Sequence, residues 1–278
     1  MIVTNKYNLP ESVVRAVSRN YPPKENRISV TDLVNAPLIR YLKMKHWDDL
    51  TEDASDQLWK LLGTSMHYVL EQHSPEDAFQ EEKLTADING ITISGKSDLY
   101  QNGVITDWKA TSVFSFLLGN KPEWEAQLNV YAWLWKMNGF PVEKLLINAL
   151  LRDWQKSKSL QDSNYPRIPF LEMEIPLWST EDVKKYILYR VSLHMLVPPP
   201  ECTPEEKWQR PTTYAVMKKG RKSAVRVYNS DLEAEMKIDS IVKEKSKHYI
   251  EKRPGRRIRC EDYCIVNKFC PYYKGVIN

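Results

Sequence analysis

The hydrophobic positions change period several times along the chain, and each change marks an element. Within residues 55–73, Leu58, Leu61, Leu62, Met66, Val69 and Leu70 recur at helical spacing. Asn89-Gly90 and Asn102-Gly103 are two-residue hairpin signals, because a type I′ turn needs positive φ at both central residues. They separate the runs 81–88, 91–101 and 104–110 and predict a three-stranded antiparallel meander. Residues 122–138 predict a helix opened by proline, with Trp124, Leu128, Tyr131, Ala132 and Trp135 on its apolar side. The short apolar run 144–151 predicts a buried strand and 171–175 a further one. A helix over 180–196 is capped by Ser179 or Thr180. Upstream, residues 29–44 predict a short helix starting near Thr31 or Asp32 with a second start at Pro37, preceded by an irregular arm over 1–26. Pro198-Pro199-Pro200 marks a boundary. Beyond it, 213–218 and 224–228 form a hairpin around Lys219-Gly220-Arg221, and 231–252 a charged helix. The fold class is α/β: an arm and helix (1–54), a core of helix, three-stranded meander, helix and strand (55–197), and a mostly helical C-terminal extension (198–278).

The turns also fix register. Pairing across Asn102-Gly103 sets Asp98 opposite Asp107, and pairing across Asn89-Gly90 sets Glu81 opposite Asp98. Three carboxylates then lie in a row across three strands, and Lys109, two residues beyond Asp107, shares their face. Directly opposed like charges destabilise a sheet, so the row requires a cation. A solvated strand face also accommodates alternating Asp and Lys, but the doubled Asn-Gly register favours a site. Hard carboxylate oxygens suit Mg²⁺ or Mn²⁺. Gly63 lies four residues before His67 on one helix face, and an interior glycine there calls for a packing or access role.

Composition narrows the class. The 278 residues carry 40 basic and 36 acidic side chains, a formal charge of +4, too mild to name a partner. No run approaches the roughly 18 apolar residues that span a bilayer, and no secretory leader is visible, so the expectation is a cytoplasmic protein without membrane association. Basic residues gather late, at Lys218, Lys219, Arg221 and Lys222, and at Lys252, Arg253, Arg256, Arg257 and Arg259. Four cysteines, Cys202, Cys260, Cys264 and Cys270, are not a disulfide framework in a cytosolic chain. As four soft ligands they suit a [4Fe-4S] cluster or Zn²⁺.

Gly63-Thr-Ser-Met-His67, Gly95-Lys-Ser-Asp98, Asp107-Trp-Lys109 and Gln127-Leu-Asn-Val-Tyr131, in this order over about residues 55–152, resemble the motif set of RecB-type nucleases of the PD-(D/E)XK superfamily. The resemblance implies a restriction-endonuclease-like core and a Mg²⁺- or Mn²⁺-dependent deoxyribonuclease. It implies that His67, Asp98, Asp107 and the backbone carbonyl of Trp108 hold the metal and that Lys109 orients the attacking water. It also implies that Gln127 and Tyr131 contact the strand near the scissile phosphate. Glu81 is added from register, as an outer or second-metal group.

The C-terminal cysteine triplet with a distant fourth resembles the iron–sulfur staple of CRISPR-associated and AddB-type exonucleases. There the distant cysteine commonly precedes the core; here Ala36 stands at that place, before Pro37, and Cys202 substitutes. Such a cluster would tie the C-terminal region back to the core. The expected activity is an exonuclease on single-stranded DNA or DNA ends in recombination, repair or replication, with replication or recombination proteins as partners. A non-catalytic DNA-binding or assembly module that keeps the nuclease fold is the alternative.

Overall fold

Both Asn-Gly turns form, with φ of +49° and +78° at Asn89 and Gly90 and +48° and +81° at Asn102 and Gly103. The computed structural model describes residues 1–18, 21–117, 119, 121–241 and 245–273, and the chain divides into two units, Met1–Pro200 and Glu201–Asn278. The first unit is mixed α/β. In chain order it contains β1 (Arg27–Ser29), α1 (Val30–Val34), α2 (Pro37–Lys45), α3 (Leu58–Glu71), β2 (Lys83–Ile88), β3 (Ile91–Lys96), β4 (Leu99–Gln101), β5 (Val104–Thr111), α4 (Pro122–Met137), β6 (Lys144–Leu151), β7 (Phe170–Ile175) and α5 (Thr180–His194).

The expected single meander is corrected in one respect. Both hairpin registers are as the turns dictate, with Lys83 opposite Lys96 and Gln101 opposite Val104. The middle strand, however, breaks at Ser97 and Asp98. Its first half, β3, lies between β1 and β2 in a three-stranded sheet; its second half, β4, joins a five-stranded sheet in the order β7, β6, β5, β4 and the short strand Phe79–Gln80. The first strand breaks at the same level, where Glu81 takes φ of +48°, yet Gln80 still faces Leu99. Register survives the bend, so Glu81 stays beside Asp98, whose carbonyl accepts the Glu81 amide at 3.3 Å.

Helix α4 causes the bend. It is apolar nearly all round, with Leu128, Val130, Leu134 and Trp135 at most 1% exposed, as expected of a helix inside a core. Trp135 donates its indole N–H to Ser97 Oγ at 2.8 Å and stacks on Tyr100 at 4.2 Å between centroids. The bent strand is thereby anchored on both sides of its break. Close approach needs Gly95: a Cβ there would lie 2.6 Å from Tyr131 Cε1, 2.7 Å from Val30 Cγ2 and 3.0 Å from Leu134 Cδ1. Strands β5 and β6 run parallel, with Asp107 beside Ile147. Their fully buried Ile105, Leu145 and Ile147 meet Leu128 and Leu134 of α4 in the core.

Several smaller expectations also change. Residues 1–26 are not wholly irregular: Ile2–Thr4 pairs in parallel with Thr51–Asp53, and Asp53 accepts from the Thr4 hydroxyl and the Lys6 amide at 2.7 and 2.9 Å. Helix α1 is capped by Ser29, which accepts the Asp32 amide, so it starts slightly earlier than Thr31. The C-terminal unit is not mostly helical. It holds β8 (Thr213–Lys218), β9 (Arg226–Tyr228), a nine-residue helix α6 (Asp231–Asp239) and β10 (His248–Arg253), with β8 central in a three-stranded sheet. The expected long helix gives way because Ala215, Val216 and Met217 are buried, and a central strand needs partners on both edges. His248–Arg253 supplies the second edge with β-formers Tyr249 and Ile250. Among the described residues no helix is long and apolar enough to cross a membrane.

Gly95, closed on by a helix, and Gly63, open within one, make opposite predictions. Gly95→Ala forces helix and strand apart and should lower unfolding stability by about 1–3 kcal/mol. Gly63→Ala, where a Cβ meets nothing within 4 Å, should raise it by up to about 1 kcal/mol through helix propensity. Denaturant midpoints at unchanged slope measure both.

Candidate active site

Because β4 starts only at Leu99, the edge of β5 beside Trp108 has no strand partner on that side. Asp98 and His67 take its place. Trp108 donates its amide to Asp98 Oδ2 at 2.7 Å, and its carbonyl lies 3.1 Å from His67 Nε2. The other ring nitrogen, Nδ1, is 3.2 Å from Asp98 Oδ1 and 4.0 Å from Glu81 Oε1. One donor atom from each of His67, Glu81 and Asp98 falls within 4.8 Å of the others. The row expected on a flat sheet has become a cup: two carboxylates and a carbonyl around one imidazole. Glu81, included from register alone, belongs to this inner group.

Electrostatics follow from the geometry. His67 is held by Asp98 and then by Glu81 against the opposing effect of burial, and its pKa is pushed up to about 10. At neutral pH the ring is an imidazolium, donating from both nitrogens, and it supplies the cation that three acceptors require. Glu81 is pulled below its usual value by His67 first and by Lys96 as well, with which it also forms an ion pair.

Asp107 and Lys109 stand next to this cup on the same strand. Asp107 is 3% exposed. Burial raises its pKa to about 6, Lys109 opposes the rise, and Asp98 adds to it. Lys109 Nζ is 2.6 Å from Asp107 Oδ2, yet this oxygen has no aligned hydrogen bond, so the contact is an ion pair that leaves lone-pair capacity unused. On α4, Gln127 Nε2 donates to Tyr131 Oη at 3.3 Å. Burial pushes the Tyr131 phenol well above its usual range, and the carboxylates of Asp107 and Asp98 add to this; it remains a neutral hydroxyl.

Some participants were not read from the sequence. Lys96 was missed although it neighbours Gly95 and Asp98. Lys121 was missed because it precedes its helix; it is close enough to Lys109 for the like charge to lower its pKa, after the larger effect of burial. Beside Tyr131 lies a cavity of about 420 Å³ lined by Arg27, Thr31, Lys83 and Lys96, among others. It is assembled from four separated segments, so no local pattern announces it.

All four cysteines fall in the C-terminal unit, so any group they hold closes that unit rather than tying it to the core. The Cys202 thiol is raised to about 12, by burial first, then by Glu206 and by the other three cysteines; the four are mutual neighbours. Among the described residues no three of their sulfurs lie within 4.8 Å of one another. On the sheet of this unit Tyr214 pairs with Tyr228 on one side and Lys252 on the other. The later basic cluster is partly neutralised: Arg253 pairs with Glu251, and Arg256 with Glu261 and Asp262. Trp208 packs edge-on to Tyr263.

No protein-family model matches the chain and no curated protein matches it. Solved structures are similar in part. The structure of SSO0001 shares 20% identity, with 71% of this chain and 86% of that one covered, at a TM-score of 0.48. The alkaline exonuclease LHK-Exo of Laribacter hongkongensis shares 9%, covering 66% and 91%, at 0.39. A phage-related exonuclease of Haemophilus somnus 129PT shares 14%, covering 60% and 90%, at 0.35. With TM-scores below 0.5 these likenesses carry no argument about activity, which rests on the side chains described above.

Proposed function

We propose that the chain is a Mg²⁺- or Mn²⁺-dependent DNA nuclease with a PD-(D/E)XK-type core, acting as an exonuclease on single strands or DNA ends. The observation that carries the proposal is the convergence of His67, Glu81, Asp98 and the Trp108 carbonyl beside the Asp107–Lys109 pair. The donor set fits a divalent cation: hard oxygens predominate, three acceptors are already gathered around one positive charge, and Asp107 Oδ2 is buried without an aligned donor. His67, Asp98, Asp107 and the Trp108 carbonyl would hold the ion, with Glu81 as a further ligand or the support of one. When bound, such an ion polarises a phosphoryl oxygen and lowers the pKa of water.

The protein's own groups account for the remaining chemistry. Lys109 sets a positive charge beside Asp107, where it orients the attacking water and offsets negative charge developing on the phosphate. Tyr131 and Gln127 offer neutral donors to the strand; a hydroxyl held far above its usual pKa donates without adding charge. The cavity lined by Arg27, Lys83 and Lys96 presents cations next to Tyr131, which supports a phosphate-bearing end as the feature recognised. Buried Trp135 and Ser97 keep the donor atoms fixed, so little reorganisation accompanies the reaction.

In a gel assay with end-labelled single- and double-stranded DNA and Mg²⁺ or Mn²⁺, the wild type should cleave. Lys109→Ala and Asp107→Ala should lose at least about 100-fold in rate while the protein stays folded by circular dichroism. Variants that cleave at the wild-type rate contradict the site, and a wild type inert with every divalent metal leaves a DNA-binding module.

We also propose that Cys202, Cys260, Cys264 and Cys270 hold a [4Fe-4S] cluster. Thiolates on a single Zn²⁺ would lie about 3.8 Å apart, given Zn–S bonds of about 2.3 Å in a tetrahedron. Among the described residues no three of these sulfurs come that close together, which supports a polynuclear group. Anaerobically purified protein should be brown, with a broad absorption near roughly 400 nm from thiolate-ligated iron that Cys264→Ser removes. Colourless protein carrying one zinc per chain would contradict the cluster.

A further inference from the structure

Helix α3 carries His67, but none of its residues is fully buried. Trp59, on its first turn, is 67% exposed. It is nonetheless not loose: the Arg152 guanidinium lies over the indole at 4.4 Å from the ring centroid, which fixes the ring and covers one face of it. Its exposure leaves ring surface for a further contact.

Two independent elements connect this pair to the His67–Glu81–Asp98 cluster. Along the helix, Trp59, Gly63 and His67 are spaced i, i+4 and i+8 and form one ridge, about 12 Å from end to end. Between them Gly63 leaves bare backbone, with nothing within 4 Å of where its Cβ would be. Among the described residues no neighbour packs there, so of the two roles the sequence allowed for this glycine access is the one that fits. Along the sheet, Arg152 follows β6, and its amide donates to the Thr111 carbonyl at 3.0 Å. Thr111 alternates onto the face of Asp107 and Lys109.

We infer that Trp59, backed by Arg152, is a base-stacking subsite for an unpaired nucleotide of the substrate strand, reached across the open backbone at Gly63. This rests on the nuclease reading above and specifies its substrate as single-stranded at this position. Every base has a π-face to offer an indole, but a base inside a duplex already has neighbours on both faces. The Arg152 cation also suits the adjoining phosphates. At the 3.4 Å per nucleotide of a stacked strand, 12 Å places the stacked base about three or four nucleotides from the cluster. What sets this aromatic apart is that it is both exposed and backed by a guanidinium, and that it shares a helix ridge with Gly63 and His67.

The test is to walk one abasic residue along an end-labelled single strand and to measure binding by anisotropy without metal and single-turnover cleavage with Mn²⁺. For the wild type, one position three or four nucleotides from the cleaved bond should weaken binding about 5- to 150-fold. Trp59→Ala should show the same loss on the intact strand and no further loss with the abasic residue there, and Trp59→Phe should retain most of the affinity. The melting temperature of Trp59→Ala should be unchanged, the side chain being exposed. Equal affinity of wild type and Trp59→Ala for every strand overturns the subsite and leaves the nuclease reading standing. Failure of the wild type to bind or cleave any nucleic acid overturns both.

Discussion

Gly95, Ser97 and Tyr100 are the points at which helix α4 grips the central strand, and the candidate site depends on that grip. The missing Cβ at Gly95 lets Tyr131 and Leu134 close on the strand. The Trp135–Ser97 hydrogen bond and the Trp135–Tyr100 stack then hold it bent. A straight strand would continue its ladder along β5 and cover the Trp108 edge. The bent one exposes that edge, and the unpaired backbone groups recruit Asp98 and His67 as partners. The geometry of the candidate site is in this sense a consequence of unsatisfied backbone: buried polar groups must be paired, and here the pairing groups are also potential metal ligands.

The same arrangement explains the charge balance. Gathering Glu81, Asp98 and the Trp108 carbonyl in a partly buried cup is unfavourable without a cation. The His67 imidazolium fills that role. A divalent ion would compete with its proton, so the ring that stabilises the cup would become a ligand only by deprotonating. Asp107, whose carboxyl burial pushes above its usual value, pairs with Lys109 two residues further along the same strand. Two carboxylates thus have distinct environments: Asp98 ties backbone to imidazole, while Asp107 remains with unused acceptor capacity.

Much of this was legible because two-residue turns are strict. Asn89-Gly90 and Asn102-Gly103 fixed both registers, and register alone brought Glu81 to Asp98 even though Glu81 adopts a left-handed conformation that the pattern does not reveal. The bend was not legible, because it arises from the contact of Gly95, Ser97 and Tyr100 with a helix more than 20 residues downstream. Helix α3 read as an amphipathic core helix from Leu58, Leu61 and Leu62, yet Trp59 and Leu62 remain exposed: periodicity reports which face is apolar, not whether anything covers it. In the C-terminal unit, the charged stretch after Asp231 suggested one helix. Burial of Ala215 and Val216 in β8 required a third strand instead, a tertiary demand that local composition does not carry.

The central proposal is that the bend assembles a site that would hold a divalent cation, with His67 giving up its proton to do so. Calorimetric titration of Mn²⁺ at pH 8, in buffers of different ionisation enthalpy, tests it most directly. With His67 held as an imidazolium by Asp98 and Glu81, the account predicts Mn²⁺ binding accompanied by release of about one proton per ion. Asp98→Asn should abolish or greatly weaken it. Binding without proton release, or binding unaffected by Asp98→Asn, would contradict the account.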